Sequence, residues 1–116
     1  MLTDAPLTIE RREGSVPDTH IFVLNGPLTL RNMFEFQADL RSGAPARLTI
    51  FDLAGVPYLD SAGMGLVVNH HVHCETRGSK LIIAAANGRV TDLFRLTKVE
   101  TVLSLASSVE EAEANI

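Results

Sequence analysis

The hydrophobic and polar positions of this chain follow two alternating periods, which divide it into short strands and helices of ten or so residues. Apolar or alternating runs bounded by Gly, Pro, Asn or Asp are typical of strands. They predict five strands, at residues 7–12, 20–24, 48–53, 80–85 and 102–105. Apolar positions three or four apart predict four helices. The first helix begins at Thr29 and ends near residues 43–45. The second spans residues 61–77, the third spans residues 89–96, and the fourth follows Ser107 and Ser108 near the C-terminal end.

The third predicted strand, LTIFDL, is almost wholly apolar or β-branched, as in a central strand that is covered on both faces. Strands that alternate with helices require crossover connections, which produce a largely parallel sheet. We therefore predict a single α/β domain over residues 1–116, with a mixed, largely parallel sheet of about five strands and about four helices. The first strand alternates only weakly and is expected at the edge of the sheet.

Helical projection assigns the apolar side chains of each helix to a face. Thr29 is predicted to cap the first helix, whose inward positions are Leu30, Met33, Phe34 and Leu40. In the second helix the positions expected to face the sheet are Met64, Val67, Val68, Val72 and Cys74. Leu66 points the opposite way, so we expect it to be exposed and to belong to a partner-binding patch.

Composition narrows the classes of function. The 116 residues include fourteen acidic and ten basic side chains, for a net charge of −4, and only 5% are aromatic. This balance argues against a nucleic-acid binder, which carries a basic stripe. With a single cysteine, no signal-peptide pattern and no apolar run near the ~20 residues of a membrane span, we expect a cytoplasmic protein with no membrane span. The oligomeric state is left open.

One stretch carries candidate chemistry, the segment VPYLDSAGMG at residues 56–65. Ser61 is placed where a helix begins, and a helix N-terminus favours an anion. Asp60 puts a carboxylate beside that hydroxyl. Gly63 and Gly65 weaken the first turns of the helix by about 0.5–1 kcal/mol each, which is tolerated where another backbone approaches closely. A simpler interpretation remains: Asp60 or Ser61 is an ordinary N-cap, and the glycines only allow tight packing on the sheet.

Enzymatic and metal-binding alternatives find little support. The nucleophile-elbow, Walker and dinucleotide-binding patterns are all absent, so Ser61 is interpreted as a substrate or cap and the chain as a non-enzyme. The sequence HHVHCE at residues 70–75 suggests a metal site. On a helix, however, these side chains fall on different faces, and one ion would gain at most a pair of ligands. No metal and no cofactor is therefore expected.

The phrase YLDSAGMG at residues 58–65 resembles the signature of the anti-sigma-factor antagonists, the bacterial branch of the STAS domain family. The resemblance extends to LNGPL at residues 24–28, GSKL at 78–81, VTDLFRLT at 90–97 and a terminal helix. It implies a STAS-like fold. The chain departs from the family at two positions, with Thr29 where Asp is common and Lys98 where the third helix usually ends in Gly.

The resemblance also implies a function. In this family the matching serine, here Ser61, is phosphorylated by the partner anti-sigma factor, an ATP-dependent serine kinase. The unphosphorylated antagonist binds that kinase and frees the sigma factor for transcription. The phosphorylated antagonist is released from the kinase until a phosphatase returns it to the unphosphorylated form. By this resemblance the partner-binding residues are expected to be Gly26, Pro27, Thr29, Asp60, Ala62, Gly63, Met64 and Leu66.

Two alternatives stay open. In the same fold, the chain could be a STAS scaffold subunit of a stress-signalling or lipid-transport complex, in which Ser61 is never modified; Thr29 favours this option. A third class is a small enzyme or nucleotide-binding protein that uses the helix N-terminus as an anion site, although the sequence offers no base, metal set or phosphate loop to complete it.

Overall fold

The computed structural model describes residues 6–42 and 45–114, which form an α/β fold with helices packed on a sheet. Five strands make a single sheet with the order β1-β2-β3-β4-β5. The first pairs antiparallel with the second, and all later pairs are parallel. Their bounds are Thr8–Glu13 (β1), Thr19–Asn25 (β2), Leu48–Gly55 (β3), Lys80–Ala84 (β4) and Ser104–Ala106 (β5). The predicted fold class and the edge position of the first strand are confirmed.

Four helices follow the second, third, fourth and fifth strands, as the periodicity predicts. Their bounds are Met33–Arg41 (α1), Ser61–Thr76 (α2), Gly88–Leu96 (α3) and Val109–Ala114 (α4). A single 3-10 turn, Val99–Thr101, precedes β5 and was not predicted. The end of the first helix was predicted at residues 43–45, of which 43 and 44 lie outside the described residues.

The two faces of the sheet are covered unequally. The first three helices pack on one face, where the buried rings of Phe22, Phe36 and Phe51 contact one another edge to edge. Of the described elements, α4 alone packs on the other face, where Ala112 lies against a smaller aliphatic cluster that includes Ile50 and Ile82. The larger core therefore lies beneath α2, and it fixes the helix that begins at Ser61.

The prediction for the first helix is wrong at its start. Thr29 is buried and is not the N-cap; its carbonyl accepts hydrogen bonds from the N–H groups of Asn32 and Met33, so a turn precedes the helix. Leu30 and Phe34, predicted to point inward, are 58% and 61% exposed. Phe36 takes the core position instead. Because α1 begins at Met33 and not at Thr29, the side chains that face the core are not the predicted ones.

The predicted face of the second helix is also wrong in part. Val67 and Cys74 are buried as expected, but Val72 is half exposed and Leu66 is only 4% exposed. The buried side of α2 includes Gly63 and His71, a small and a polar residue. Because valines also occupy outward positions on this helix, the apolar pattern alone does not identify the side that packs.

Candidate functional site

Ser61 is the first residue of α2 and is exposed, at the end of the loop that follows the central strand β3. The first N–H groups of a helix have no partner within it, and the helix dipole is positive at this end. The predicted position of Ser61 at a helix start is confirmed. Its hydroxyl is thus presented to solvent at a point where added negative charge is tolerated by the backbone.

Asp60 is the N-cap of α2 and ties two segments together. One carboxylate oxygen accepts a hydrogen bond from the N–H of Gly63 at 2.9 Å, and the other accepts from the N–H of Leu30 at 3.0 Å. The simpler interpretation of Asp60 as a cap is confirmed. The hydrogen bonds described for this side chain go to backbone groups and not to the hydroxyl of Ser61.

A turn between β2 and α1 supports the start of α2 from below. The N–H of Gly26 bonds to the carbonyl of Gly55 at 2.9 Å, and Leu28 exchanges backbone hydrogen bonds with Tyr58 and Asp60 at 3.2 and 3.3 Å. Gly26 has a φ of +116° and lies against the carbonyl of Pro6, so a side chain would fit poorly there. These hydrogen bonds fix the position of the Ser61 loop relative to the turn.

The members of this turn that the sequence assigned to partner binding are mostly covered. Pro27 and Thr29 are buried, and Gly26 is half-buried. The exposed end of the turn is Leu30, which sequence reasoning placed in the core. The surface that this segment offers next to Ser61 is therefore an aliphatic side chain and not the turn itself.

The two glycines near the start of α2 have different surroundings. A Cβ at Gly63 would overlap the carbonyl oxygen of Leu28, so this glycine is required by a close approach within the chain. A Cβ at Gly65 would meet nothing within 4 Å. Gly65 lies one turn beyond Ser61, and it leaves open space on the helix surface there.

Ala62 and Met64, the other predicted contact residues of this helix, are half-buried. The sulfur of Met64 lies 3.3 Å from the hydroxyl oxygen of Thr97, whose proton is donated to the carbonyl of Leu93 at 2.7 Å, and this contact connects α2 to the end of α3. Leu66 was expected on the exposed rim of the site, and that expectation is wrong because the side chain packs in the core. It belongs to the support of the site and not to its surface.

Exposed apolar side chains flank the Ser61 loop on two sides. On the side of α1, Leu30 is joined to the loop by the hydrogen bond from its N–H to Asp60, and Phe34 is exposed four residues further along the chain. On the side of α3, Leu96, 81% exposed, lies near the loop. Between the loop and α3 a depression of about 340 Å³ is lined by Tyr58 and Leu96 among others. The guanidinium of Arg89 stacks over the Tyr58 ring at 5.1 Å. Sequence reasoning did not assign these residues to the exposed surface around Ser61. The apolar pattern alone does not show at which residue each helix starts, and therefore does not show which of its apolar side chains face outward.

The histidine-rich end of α2 forms no metal centre in the described part of the chain. Within residues 6–42 and 45–114, no three His, Cys, Asp or Glu side chains are placed to hold one ion. His71 is buried and lies 3.4 Å from Glu75, one turn further on, while His70 stacks on Phe51. In the same residues, no helix has the length and apolar character needed to cross a membrane.

The fold and the Ser61 loop together define a class of protein. A family model of the STAS domain matches residues 11–112, and the chain belongs to the STAS domain family. Its fold is similar to that of a candidate anti-sigma factor antagonist from Thermotoga maritima, with a TM-score of 0.84 and 19% identity over 93% of each chain.

Two further solved structures have the same fold. The anti-sigma factor antagonist SpoIIAA in its unphosphorylated form is 20% identical, with a TM-score of 0.73 over 90% of this chain and 92% of that one. A sulfate transporter family protein from Wolinella succinogenes is 19% identical, with a TM-score of 0.73 over 88% and 87%. At these identities the likeness concerns the fold.

Proposed function

We propose that this chain is an anti-sigma factor antagonist. It binds an anti-sigma factor with serine-kinase activity while Ser61 is unphosphorylated, and phosphorylation of Ser61 releases that partner. The sigma factor is therefore free only while Ser61 of this chain is unphosphorylated. A phosphatase reverses the change. The observation that carries the proposal is the exposed Ser61 hydroxyl at a rigidly supported helix start, flanked by exposed apolar side chains.

The surroundings of Ser61 suit a kinase substrate. Asp60 and the turn at residues 26–30 hold the start of α2 by hydrogen bonds to backbone groups, so the backbone at Ser61 is held in one position. Gly65 leaves room on the helix surface next to it. A partner's backbone can therefore approach the hydroxyl without displacing a side chain of α2.

Phosphorylation would change the surface and not the fold. A phosphoryl group adds about −1.5 to −2 charges, which the N-terminus of α2 accommodates. The same charge, added beside Asp60 on a chain with a net charge of −4, disfavours an apolar partner surface that must be desolvated on contact. Leu30, Phe34 and Leu96 supply the apolar part of that contact. Support from a relative comes from SpoIIAA, whose structure is also known in a phosphorylated form.

The first experiment detects the modification. The chain is incubated with candidate anti-sigma kinases and ATP, and the intact mass is measured. We expect the mass to rise by one phosphoryl group in the wild type and in Ser42→Ala, a matched exposed serine at the end of α1, and not in Ser61→Ala. A phosphoryl group on Ser61→Ala would contradict the proposal.

The second experiment measures binding to the kinase that modifies the chain. Ser61→Ala is expected to bind like the wild type and Ser61→Glu at least tenfold more weakly, with unchanged thermal unfolding. Phe34→Ser is expected to weaken binding, whereas Leu105→Ser, a similarly exposed apolar residue on β5, is the control. Equal binding by Ser61→Glu would rule out the release mechanism.

A second candidate function is a STAS scaffold subunit of a stress-signalling or lipid-transport complex, in which Ser61 is a docking point that is never modified. It is favoured by Thr29, which is buried where the related antagonists commonly carry an acidic residue. Tight binding to a partner without any gain of mass in the presence of ATP would support this candidate over the first.

A further inference from the structure

A groove of about 480 Å³ runs between α1 and α2, on the part of α2 that lies beyond the Ser61 loop. Although the chain has a net charge of −4, no Asp or Glu among the described residues lines this groove. Its polar and basic side chains come from α1, from α2 and from the residue that caps the end of α2, and they are Gln37, Arg41, Asn69, His70, His73 and Arg77. The groove is thus a basic feature on an acidic protein.

Two arginines give the groove its charge. Neither Arg41 nor Arg77 makes an ion pair with a carboxylate in the described part of the chain, and the polar side-chain contact of Arg77 is with the ring of His73 at 3.4 Å. A cation in the last turn of a helix offsets the helix dipole by itself. That effect does not require cations from two helices to line the same groove.

The wall between the arginines is flat and uncharged. His70 stacks between Phe51 and His73, with ring centroids 5.5 and 5.6 Å apart. Burial, with a smaller contribution from His73, lowers the pKa of His70 to about 4, so its ring is neutral at pH 7. Leu40, which is half-buried, adds aliphatic surface, and the buried Leu66 lies at the wall of the groove. The lining therefore combines two guanidinium groups with an apolar strip.

We propose that this groove binds an acidic segment of a protein partner, whose carboxylates pair with Arg41 and Arg77 while an aliphatic side chain covers Leu40. Sites for small molecules enclose most of the ligand surface. This groove is only partly enclosed, so it would leave part of a small anion exposed to solvent. A peptide segment gains instead from several contacts along the two helices.

The site is independent of the proposed phosphorylation. Arg77 follows Ser61 by sixteen residues, which places it about 24 Å further along the helix axis. An acidic segment can therefore occupy the groove whether or not Ser61 carries a charge. Binding to the groove and release at Ser61 can be tested separately.

The experiment titrates the ¹⁵N-labelled chain with a synthetic peptide of sequence ELEELEEL and follows the amide resonances. We expect shifts concentrated at residues 37–41 and 66–77, a dissociation constant that rises with salt, and binding about tenfold weaker in the double variant Arg41→Ala/Arg77→Ala. The control Arg12→Ala/Lys98→Ala removes the same charge from exposed positions outside the groove and should bind like the wild type. Thermal unfolding of both double variants verifies that they are folded.

Three results would overturn the proposal. They are an absence of groove shifts at millimolar peptide, equal weakening by the control double variant, and binding of benzoate as tight as that of the peptide, which would indicate a small-anion site. The peptide KLKKLKKL should not bind at the groove. Ser61→Glu should bind the acidic peptide like the wild type, so a failure here is distinct from a failure of the proposed phosphorylation.

Discussion

The carboxylate of Asp60 accepts a hydrogen bond from the backbone N–H of Leu30 at 3.0 Å, although thirty residues separate the two in the chain. The same side chain caps α2 through Gly63. One carboxylate therefore sets the position of an exposed aliphatic residue relative to the start of the helix that carries Ser61. Asp60 thus connects Leu30, which belongs to the apolar part of the candidate docking surface formed with Phe34 and Leu96, to Ser61, the proposed site of phosphorylation.

Removing that carboxylate should destabilise the fold. We expect Asp60→Ala to lower the free energy of unfolding by about 1–2 kcal/mol, because it removes an N-cap and leaves the N–H of Leu30 without its acceptor. Urea unfolding measures the change. Asp92→Ala, which breaks the exposed ion pair with Arg95, is the control and should change the stability by less than about 0.5 kcal/mol. Equal losses would contradict the role assigned to Asp60.

The two glycines of α2 should respond in opposite directions to the same substitution. Gly63→Ala places a methyl group against the carbonyl of Leu28, which is backbone and cannot easily move, so we expect a loss of about 2–4 kcal/mol. Gly65→Ala meets open space within a helix and should stabilise by about 0.5–1 kcal/mol. Thermal and urea unfolding of both variants test this pair. A gain in Gly63→Ala would mean that α2 is free to shift from the turn at Leu28.

Lys98 follows α3 with a φ of +65°, in the left-handed region that glycine adopts most readily. We expect Lys98→Gly to raise the free energy of unfolding by about 1 kcal/mol. Lys98→Ala removes the same charge and keeps the unfavourable conformation, so it should give no such gain. If both variants were equally stable, the backbone conformation would not be the cause.

The partly buried ring of His70 should make the stability depend on pH. Its pKa is lowered from 6.5 to about 4, first by burial and then by His73. Between these values the unfolded chain binds the proton more readily, so the stability is complete above about pH 6.5 and falls as the pH approaches 4. Because the ring is partly accessible, we expect a loss on the order of 1–2 kcal/mol.

Urea unfolding at pH 7.5, 6, 5 and 4.5 measures this loss. His70→Phe keeps a ring beside Phe51 and removes the titrating group, so the decline of its stability over the same interval should be smaller than in the wild type. An identical decline in the two proteins would assign the pH dependence to other groups.

The order of elements could be predicted from the sequence because each strand is short, apolar and bounded by turn residues. The start of α2 at Ser61 follows from the same local signals, and Gly78, with a φ of +71°, ends it as expected. These features depend on residues near one another in the chain. They can therefore be predicted without knowledge of the tertiary contacts.

The faces of the helices could not be predicted in the same way. Leu66 is buried and Val72 is half exposed, because the close approach of Gly63 to Leu28 fixes the rotation of α2, and no local pattern reveals that contact. Phe34 and Phe36 exchange roles because the turn after Thr29 delays the helix. The apolar part of the candidate docking surface depends on these long-range contacts, and for that reason it was missed.

The strand order has a consequence for how the chain is made. Each strand after β1 pairs with the strand that precedes it in sequence, so its neighbour in the sheet is already made when the strand itself is synthesised. During synthesis from the N-terminus, the sheet can grow by one strand and one crossover helix at a time as the chain leaves the ribosome. The face that α4 covers is the last to close, because that helix is made after all five strands.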